Sequence, residues 1–484
     1  MNIKAISRFV GLALLVSALF MFLSIVVSLV DGRDSGFEPL LISFIIALIV
    51  GGFPFVFVKK TSRVSLRDGY MVIFLSWLLS FVFGMMPYIM WGGEFSLVNA
   101  WFESVSGFTT TGATILNDIE ALPRSLLFWR SSTHFIGGLG VAVFLLLIIP
   151  QSSPMRLRLS NMELSSLSKD GYKSRTNKTV YIFTYVYLAI FAAATLLYLL
   201  GGMTVFDAVT HAFTICSTGG FSPRTLSLGY YNSTYLNIVT TVMMVLASSH
   251  FAILYLSVMT HSLKPFNNPT FKYYLGVLAS AALLVAISMK SNGIEPTWCR
   301  AAMNASFHVA SYASTTGLSI SDNMNWNPFI VFILVLMSFQ CGMAGSTTGG
   351  LKADRGFLLF KAVRNSVRKT LHPYTITDIR VGSRIVKHDD VYPHLVYLAL
   401  FFFMFLLSVA LCYAFGNGSH SVTASVAALS NVGLSFDAIG SSGSYNWMNA
   451  PTKILLTMDM LLGRLEIYPV LAVLALVFNS KERK

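Results

Sequence analysis

The chain has 484 residues, 11% of them charged and 55% hydrophobic, with a formal net charge of +13 and a mean hydropathy of +0.66. A soluble protein carries about 25% charged residues, so a cytosolic enzyme, a disordered chain and a secreted disulfide scaffold are excluded. What remains is one large polytopic membrane protein, whose basic excess marks the inner face of a bilayer and not a nucleic-acid partner.

Ten apolar stretches reach the length that crosses a bilayer, roughly 20 residues. They predict spanning helices at 6–30, 37–58, 69–91, 125–150, 179–201, 233–260, 271–290, 328–362, 392–416 and 451–478. The first is too long for a cleavable signal peptide, and no small-x-small site follows it. With a cytoplasmic N-terminus, the inner segments hold 26 of the 34 Lys and Arg residues. Both termini are therefore expected in the cytoplasm. The outer segments carry eleven acids against Arg33, Arg124, Arg130, Arg224, Lys290, Arg300 and Lys453. A net negative outer mouth would concentrate cations. Cys216, Cys299, Cys341 and Cys412 form no CxxC or zinc spacing, and no disulfide framework is expected.

After the first two helices the chain repeats itself four times. Each unit has a spanning helix, a short stretch of about a dozen residues, a small-residue turn and a second spanning helix. The short stretches are 95–107, 204–216, 297–311 and 421–430, too short to cross and about right for a re-entrant half-helix. The turns are Thr109-Thr110-Thr111-Gly112-Ala113, Ser217-Thr218-Gly219-Gly220-Phe221, Ser314-Thr315-Thr316-Gly317-Leu318 and Ser430-Asn431-Val432-Gly433-Leu434. Aligned on Gly112, Gly219, Gly317 and Gly433, they lie 107, 98 and 116 residues apart. Repeats of this size imply a pseudosymmetric assembly. Non-helical backbone at membrane depth is tolerated only inside protein or along water. Four such turns around one axis can offer rings of carbonyl oxygens that replace the hydration shell of an alkali cation. The C-terminal ends of the half-helices add partial negative charge. The expected organisation is an all-α polytopic membrane protein with four membrane–pore helix–membrane repeats around a central pore. Residues 1–65 form two extra N-terminal helices, followed by repeats at 66–155, 156–265, 266–385 and 386–484.

These four turns, the glycine-rich break from Gly342 to Gly350 and Arg464 in the last span resemble the TrkH/KtrB superfamily of bacterial potassium uptake proteins, over nearly the whole chain. The two extra helices and the length match its TrkH branch. The resemblance implies K⁺ uptake across the bacterial inner membrane, membrane lipid around a homodimer, and a cytosolic nucleotide-binding regulator, the TrkA ring. It implies no covalently bound cofactor, no enzymatic activity and no nucleic-acid partner. The filter residues are then Thr110, Thr111 and Gly112; Ser217, Thr218 and Gly219; Thr315, Thr316 and Gly317; and Asn431, Val432 and Gly433. The gate comprises Gly345, Ser346, Thr347, Thr348, Gly349, Gly350 and Arg464. No repeat has the second glycine of the potassium-channel signature TVGYG, so Rb⁺ and some Na⁺ are expected to pass. Coupling to H⁺ or Na⁺ as a symport stays open, and the rival reading is a secondary symporter of an organic solute.

The remaining motifs are weaker. Gly345 to Lys352 imitates a phosphate-binding loop, but its lysine is one place late and Ala353 replaces Ser/Thr. Gly137-Gly138-Leu139-Gly140 reads as a helix-packing surface. His134, His211 and His308 are either polar packing residues or proton-linked groups. Asp459 and Glu466 flank Arg464 in sequence, and an ion pair with one of them is the structural alternative to its place in the gate. The basic segments 156–178 and 352–390 are the expected docking surface for an acidic regulator.

Overall fold

The chain was analysed as a computed structural model, which describes residues 2–59, 65–140, 176–323, 326–372, 374, 379–381, 384–386, 388–436, 439–441 and 443–478. Two N-terminal helices come first, α1 (Ile3–Val30) and α2 (Phe37–Phe57). They close into a hairpin at Gly11 and Gly51, where a Cβ on either glycine would press on the backbone oxygen of the other. Small residues at such a crossing let two membrane helices approach closely.

Repeat 1 contains α3 (Leu66–Trp91), α4 (Leu97–Phe108) and α5 (Arg124–Leu139). Repeat 2 contains α6 (Thr176–Leu200), α7 (Val205–Ser217), α8 (Thr234–Ala247) and α9 (Phe251–Met259). Repeat 3 contains α10 (Pro269–Ser291), α11 (Trp298–Ala313), α12 (Pro328–Gln340) and α13 (Ala353–Leu371). Repeat 4 contains α14 (His388–Ala414), α15 (His420–Leu429), α16 (Ala450–Leu465) and α17 (Ile467–Phe478). A two-stranded antiparallel hairpin, β1 (Ile379–Val381) with β2 (Arg384–Val386), is an addition to the all-helical expectation.

The short helices α4, α7, α11 and α15 are the half-helices. At 1.5 Å per residue, even the 16 residues of α11 fall short of a hydrocarbon core of about 30 Å. Side chains of Ser96, Thr204 and Thr297 cap three of their N-termini. The fourth, at Ser419, has no side-chain cap.

Among the described residues, six helices are long and apolar enough to cross a membrane alone: α1, α2, α3, α6, α10 and α14. Every first span is thus whole, and the second spans differ from the sequence expectation. The stretch 233–260 is not one helix but two, α8 and α9, bent by 100°. The stretch 328–362 is divided by a loop from Cys341 to Lys352, and 451–478 breaks at Glu466, whose φ is 63°. In repeat 1, α5 ends at Leu139 before Gly140 at φ 77°, and 141–150 lies outside the described residues.

The break in repeat 2 has a local cause. Ser248 and Ser249 turn their hydroxyls back onto Met244 and Val245 carbonyls, which weakens a helix. The backbone groups freed there bond the repeat 3 loop: Met343 N–H donates to Ser248 O at 2.9 Å, and Phe251 N–H to Gly345 O at 3.1 Å. Exposed Phe53, Phe57, Phe403 and Leu406 cover outer helix faces, as contact with hydrocarbon requires.

Candidate functional site

All four half-helices end in the same hydrogen-bonded turn. The amides of Thr111, Gly219, Thr316 and Val432 donate to the carbonyls of Ser106, Thr214, Ser311 and Ala427 at 2.9–3.0 Å. One residue earlier, Thr110, Thr218, Thr315 and Asn431 take φ of 53–56°. This is the Schellman ending, in which the left-handed position is usually glycine. A non-glycine residue there costs about 1–3 kcal/mol and persists only where its surroundings enforce it.

Two residues beyond each left-handed residue stands a glycine of positive φ: Gly112 (83°), Gly220 (95°), Gly317 (66°) and Gly433 (70°). The second repeat is therefore in a different register from the sequence alignment. Gly220, not Gly219, is the counterpart of the other three glycines, and Gly219 occupies the position of Thr111, Thr316 and Val432. The local sequence offers two adjacent glycines, and only the backbone chooses between them. Ser217 shifts with them, taking the position of Thr109, Ser314 and Ser430, and is the last residue of α7 before the cap Thr218.

The four glycines line one cleft and interlock in a closed cycle. A Cβ on Gly112 would collide with Gly219 O, on Gly220 with Thr316 O, on Gly317 with Val432 O, and on Gly433 with Thr111 O. Each repeat's carbonyl thus rests on the bare α-carbon of the repeat before it. The order around the ring is 1-2-3-4 and back to 1.

The next carbonyl outward is tied back to the half-helix. Six residues before the glycine, Ser106, Thr214 and Ser311 donate to Ala113, Phe221 and Leu318 oxygens at 2.6, 2.5 and 2.6 Å. Repeat 4 has Ala427 there, and instead Tyr445 donates to Gly433 O at 3.0 Å. Those hydroxyls hold each turn from behind. The sequence reading missed them because the repeat 2 register was one residue off.

The Cys341–Lys352 loop lies against the other side of the turns. Thr347 Oγ1 stands 3.4 Å from Thr218 Oγ1, Gly349 N–H donates to Thr315 Oγ1 at 3.4 Å, and Gly349 abuts Asn431. Ser346 Oγ meets Thr348 Oγ1 at 2.8 Å, and Gly345 (φ 83°) and Gly350 (φ 65°) supply the reversals. Arg464 reaches in from α16. It donates to Thr347 O, to Gly137 O at 2.7 Å and to Gly138 O at 3.1 Å. Lys352 donates to Thr348 O. The alternative, an ion pair of Arg464 with Asp459 or Glu466, is not what the two acids make. Glu466 pairs with Arg355 at 2.8 Å, with the guanidinium over the Tyr397 ring, and Asp459 accepts from Ser408. The Gly137–Gly138 surface is more than packing, since its carbonyls hold the arginine.

On the cleft side, several charges counted to the outer mouth are internal. Glu103 and Arg130 form a fully buried pair at 2.6 Å, and Lys453 is buried against Asn99 and the Asn446 carbonyl. Arg224, at the cleft, pairs with Asp207 and Glu120. His134, His211 and His308 are all buried. The first joins two repeats: its Nδ1 lies 2.7 Å from Gly107 O, and its Nε2 accepts Phe221 N–H at 3.1 Å. His211 Nε2 meets Ser222 Oγ at 3.0 Å. Among the described residues no His, Cys, Asp or Glu group is arranged to hold a metal ion.

The geometry can be set beside known proteins. The TrkH family, described as cation transport protein, matches residues 38–294 and 295–483. The chain is 31% identical to the Trk system potassium uptake protein TrkG of Escherichia coli K12, over 97% of each chain. It is 28% identical to TrkH of the same organism, over 99% of each. Its fold is similar to the crystal structure of the potassium transporter TrkH from Vibrio parahaemolyticus, with a TM-score of 0.87, 27% identity, and coverage of 98% of this chain and 99% of that one.

Proposed function

The chain belongs to the TrkH family of cation transport proteins, a family of transporters and not of enzymes, and from that premise we propose that it takes up K⁺ through the four-turn ring. The observation that carries this reading is the closed cycle in which Thr111, Gly219, Thr316 and Val432 carbonyls each rest on the ring glycine of the preceding repeat. Such a ring is rigid toward expansion and presents backbone dipoles to a dehydrated cation. Thr110, Thr218, Thr315 and Asn431 then line its inner side, together with the corrected Gly220. K⁺ is the cargo, with Rb⁺ and some Na⁺ as lesser ones. Four like-oriented repeats in one cycle favour this reading over an inverted-repeat symporter of an organic solute.

The loop and Arg464 act as the gate. The loop covers three of the four turns, and Arg464 latches it to the ends of α5 and α16 as an electrostatic barrier to cations. The protein sits in the bacterial inner membrane with both termini cytoplasmic, so the cleft is external and the loop internal. In this reading it assembles as a homodimer under a nucleotide-binding regulator of the TrkA type; the description of its relatives as proteins of a Trk system supports a further component. The test is Rb⁺ flux into liposomes that contain the purified protein. Uptake that K⁺ competes with and an organic solute does not supports the reading, and absence of Rb⁺ flux in folded protein overturns it.

A further inference from the structure

The ring is not braced equally on all sides. On the repeat 1 side, Glu103 accepts from Thr114 Oγ1 at 3.0 Å and from Ile115 N–H at 3.0 Å, in the strand that follows Gly112. Arg130 donates through Nε to Glu103 and through Nη1 to Ser222 O at 3.1 Å, in the strand that follows Gly220. Its guanidinium lies 3.4 Å over the Phe221 ring. His134 stacks on the same ring at 4.1 Å and ties Phe221 N–H to Gly107 O of α4. Holding one acceptor and one donor bond at once fixes that imidazole in one neutral tautomer. A Cβ on Gly219 would fall on the His134 ring. Repeat 2 thus has glycine where the other repeats carry Thr or Val because His134 fills that space.

The seam between repeats 4 and 1 is tied by Asn431 Nδ2 to Thr111 Oγ1 at 2.9 Å and by Tyr445 N–H to Thr114 O at 2.9 Å; among the described residues it has no buried ion pair like Glu103–Arg130, and it offers an internal control. Gly137 in α5 and Gly463 in α16 are equivalent: a Cβ on either would collide with the carbonyl four residues before its repeat's ring glycine, Phe108 O or Leu429 O. Counting back from them, Arg130 corresponds to Leu456 and His134 to Met460, and in the half-helices Glu103 corresponds to Ala424. Where the first repeat has a carboxylate, a guanidinium and an imidazole, the fourth has three apolar side chains. Between repeats 1 and 4 the three polar groups are present together or absent together.

We propose that Glu103, Arg130 and His134 are positioning residues for ion selectivity, which fix the spacing of the repeat 1 and repeat 2 strands and so make this seam the one that sets the ring's discrimination between K⁺ and Na⁺. The inference rests on the proposed filter. A ring that distinguishes two cations of equal charge must resist closing around the smaller one, and a guanidinium held at once by the Glu103 carboxylate and the Ser222 carbonyl resists that more stiffly than the neutral hydrogen bonds of the repeat 4–1 seam.

The experiment transplants the repeat 4 set: Glu103→Ala, Arg130→Leu and His134→Met in one chain. Exchange of a whole buried ion pair for apolar groups is tolerated far better than loss of one partner. The purified variant is reconstituted, and Rb⁺ and Na⁺ fluxes are compared per folded molecule. The Rb⁺/Na⁺ ratio is expected to fall about tenfold, and a ratio within about twofold of wild type overturns the proposal. If the triple variant does not fold, Arg130→Lys decides, because lysine keeps the charge but cannot span Glu103 and Ser222 O together. Its ratio should also fall, and an unchanged ratio again overturns the inference. Gly112→Ala measured alongside separates the two levels. If that variant keeps its ratio, the filter reading itself has failed. If only the seam variants keep theirs, the filter stands and the brace does not.

Discussion

At the scale of single residues, the ring glycines differ from other membrane glycines in having two independent reasons to be glycine. Gly112, Gly220, Gly317 and Gly433 have positive φ, and each faces a neighbouring repeat's carbonyl. Alanine there adds about 1–2 kcal/mol of backbone strain and pushes an oxygen out of the ring. Each Gly→Ala change is expected to lower the K⁺/Na⁺ permeability ratio about tenfold, with a smaller effect on protein abundance; planar-bilayer recordings of the four variants check it. Gly219 behaves differently, since its Cβ would meet the His134 side chain. Gly219→Ala should impair selectivity, and because His134 is itself part of the brace, Gly219→Ala with His134→Ala should be no worse than the more impaired single variant. Additive losses in that double variant would show that the ring of His134 is not what Gly219 makes room for.

The same residues show how far the sequence could be read. The TTG-like turns were visible as four small-residue clusters after short amphipathic stretches. Nothing local distinguishes Gly219 from Gly220, because either can take a left-handed φ. Once Gly220 is the reference, the hydroxyls of Ser106, Thr214 and Ser311 fall six residues before it in three repeats, and Glu103, His211 and His308 nine before. The one-residue error hid both columns, and with them the buried pair.

At the scale of elements, the second spans carry the asymmetry. The break at Gly342–Gly350 was legible, since each glycine costs about 1 kcal/mol relative to alanine in a helix. The bend between α8 and α9 was not, because Ser248-Ser249-His250 sits in an apolar run, and the local weakening by the serine hydroxyls is completed by a backbone partner 95 residues on, Met343. The surroundings of Arg464 were legible in part: the sequence places it with the loop and leaves a pair with Asp459 or Glu466 as the alternative, and folding gives it the carbonyls of Thr347, Gly137 and Gly138. A cation held by carbonyls of Thr347, Gly137 and Gly138 joins the loop to α5. Arg464→Ala releases that joint, and shortening 343–349 removes the cover beneath Thr218, Thr315 and Asn431. Both variants are expected to raise Rb⁺ flux per folded molecule several-fold while the K⁺/Na⁺ ratio holds. A fall in flux in both would mean that the loop supports the ring and does not obstruct it.

At the scale of the whole molecule, one helix connects the interior to the surface. The loop beneath the ring runs through Lys352 (φ 70°) directly into α13. The start of that helix is anchored: Ala353 N–H donates to Gly342 O at 2.8 Å, and Arg355 is locked by Glu466 and Tyr397. Beyond Leu358 nearly every residue is half-buried or exposed. There α13 presents Lys361, Arg364, Arg368 and Lys369. A rigid helix of 19 residues, about 28 Å long, transmits a push at its basic end to the loop at its other end. An acidic cytosolic regulator bound there would have mechanical access to the gate without touching the pore. Of the partner surface at 156–178, residues 156–175 lie outside the described residues, so the test belongs on α13. Charge reversal at Arg364, Arg368 and Lys369 should weaken capture of the purified regulator and reduce its effect on Rb⁺ flux. Raising salt should weaken wild-type capture in the same way, since exposed charges are screened over about 8–10 Å at physiological ionic strength. Capture that is indifferent to both salt and charge reversal would move the regulator to another surface, and α13 would then serve only to set topology.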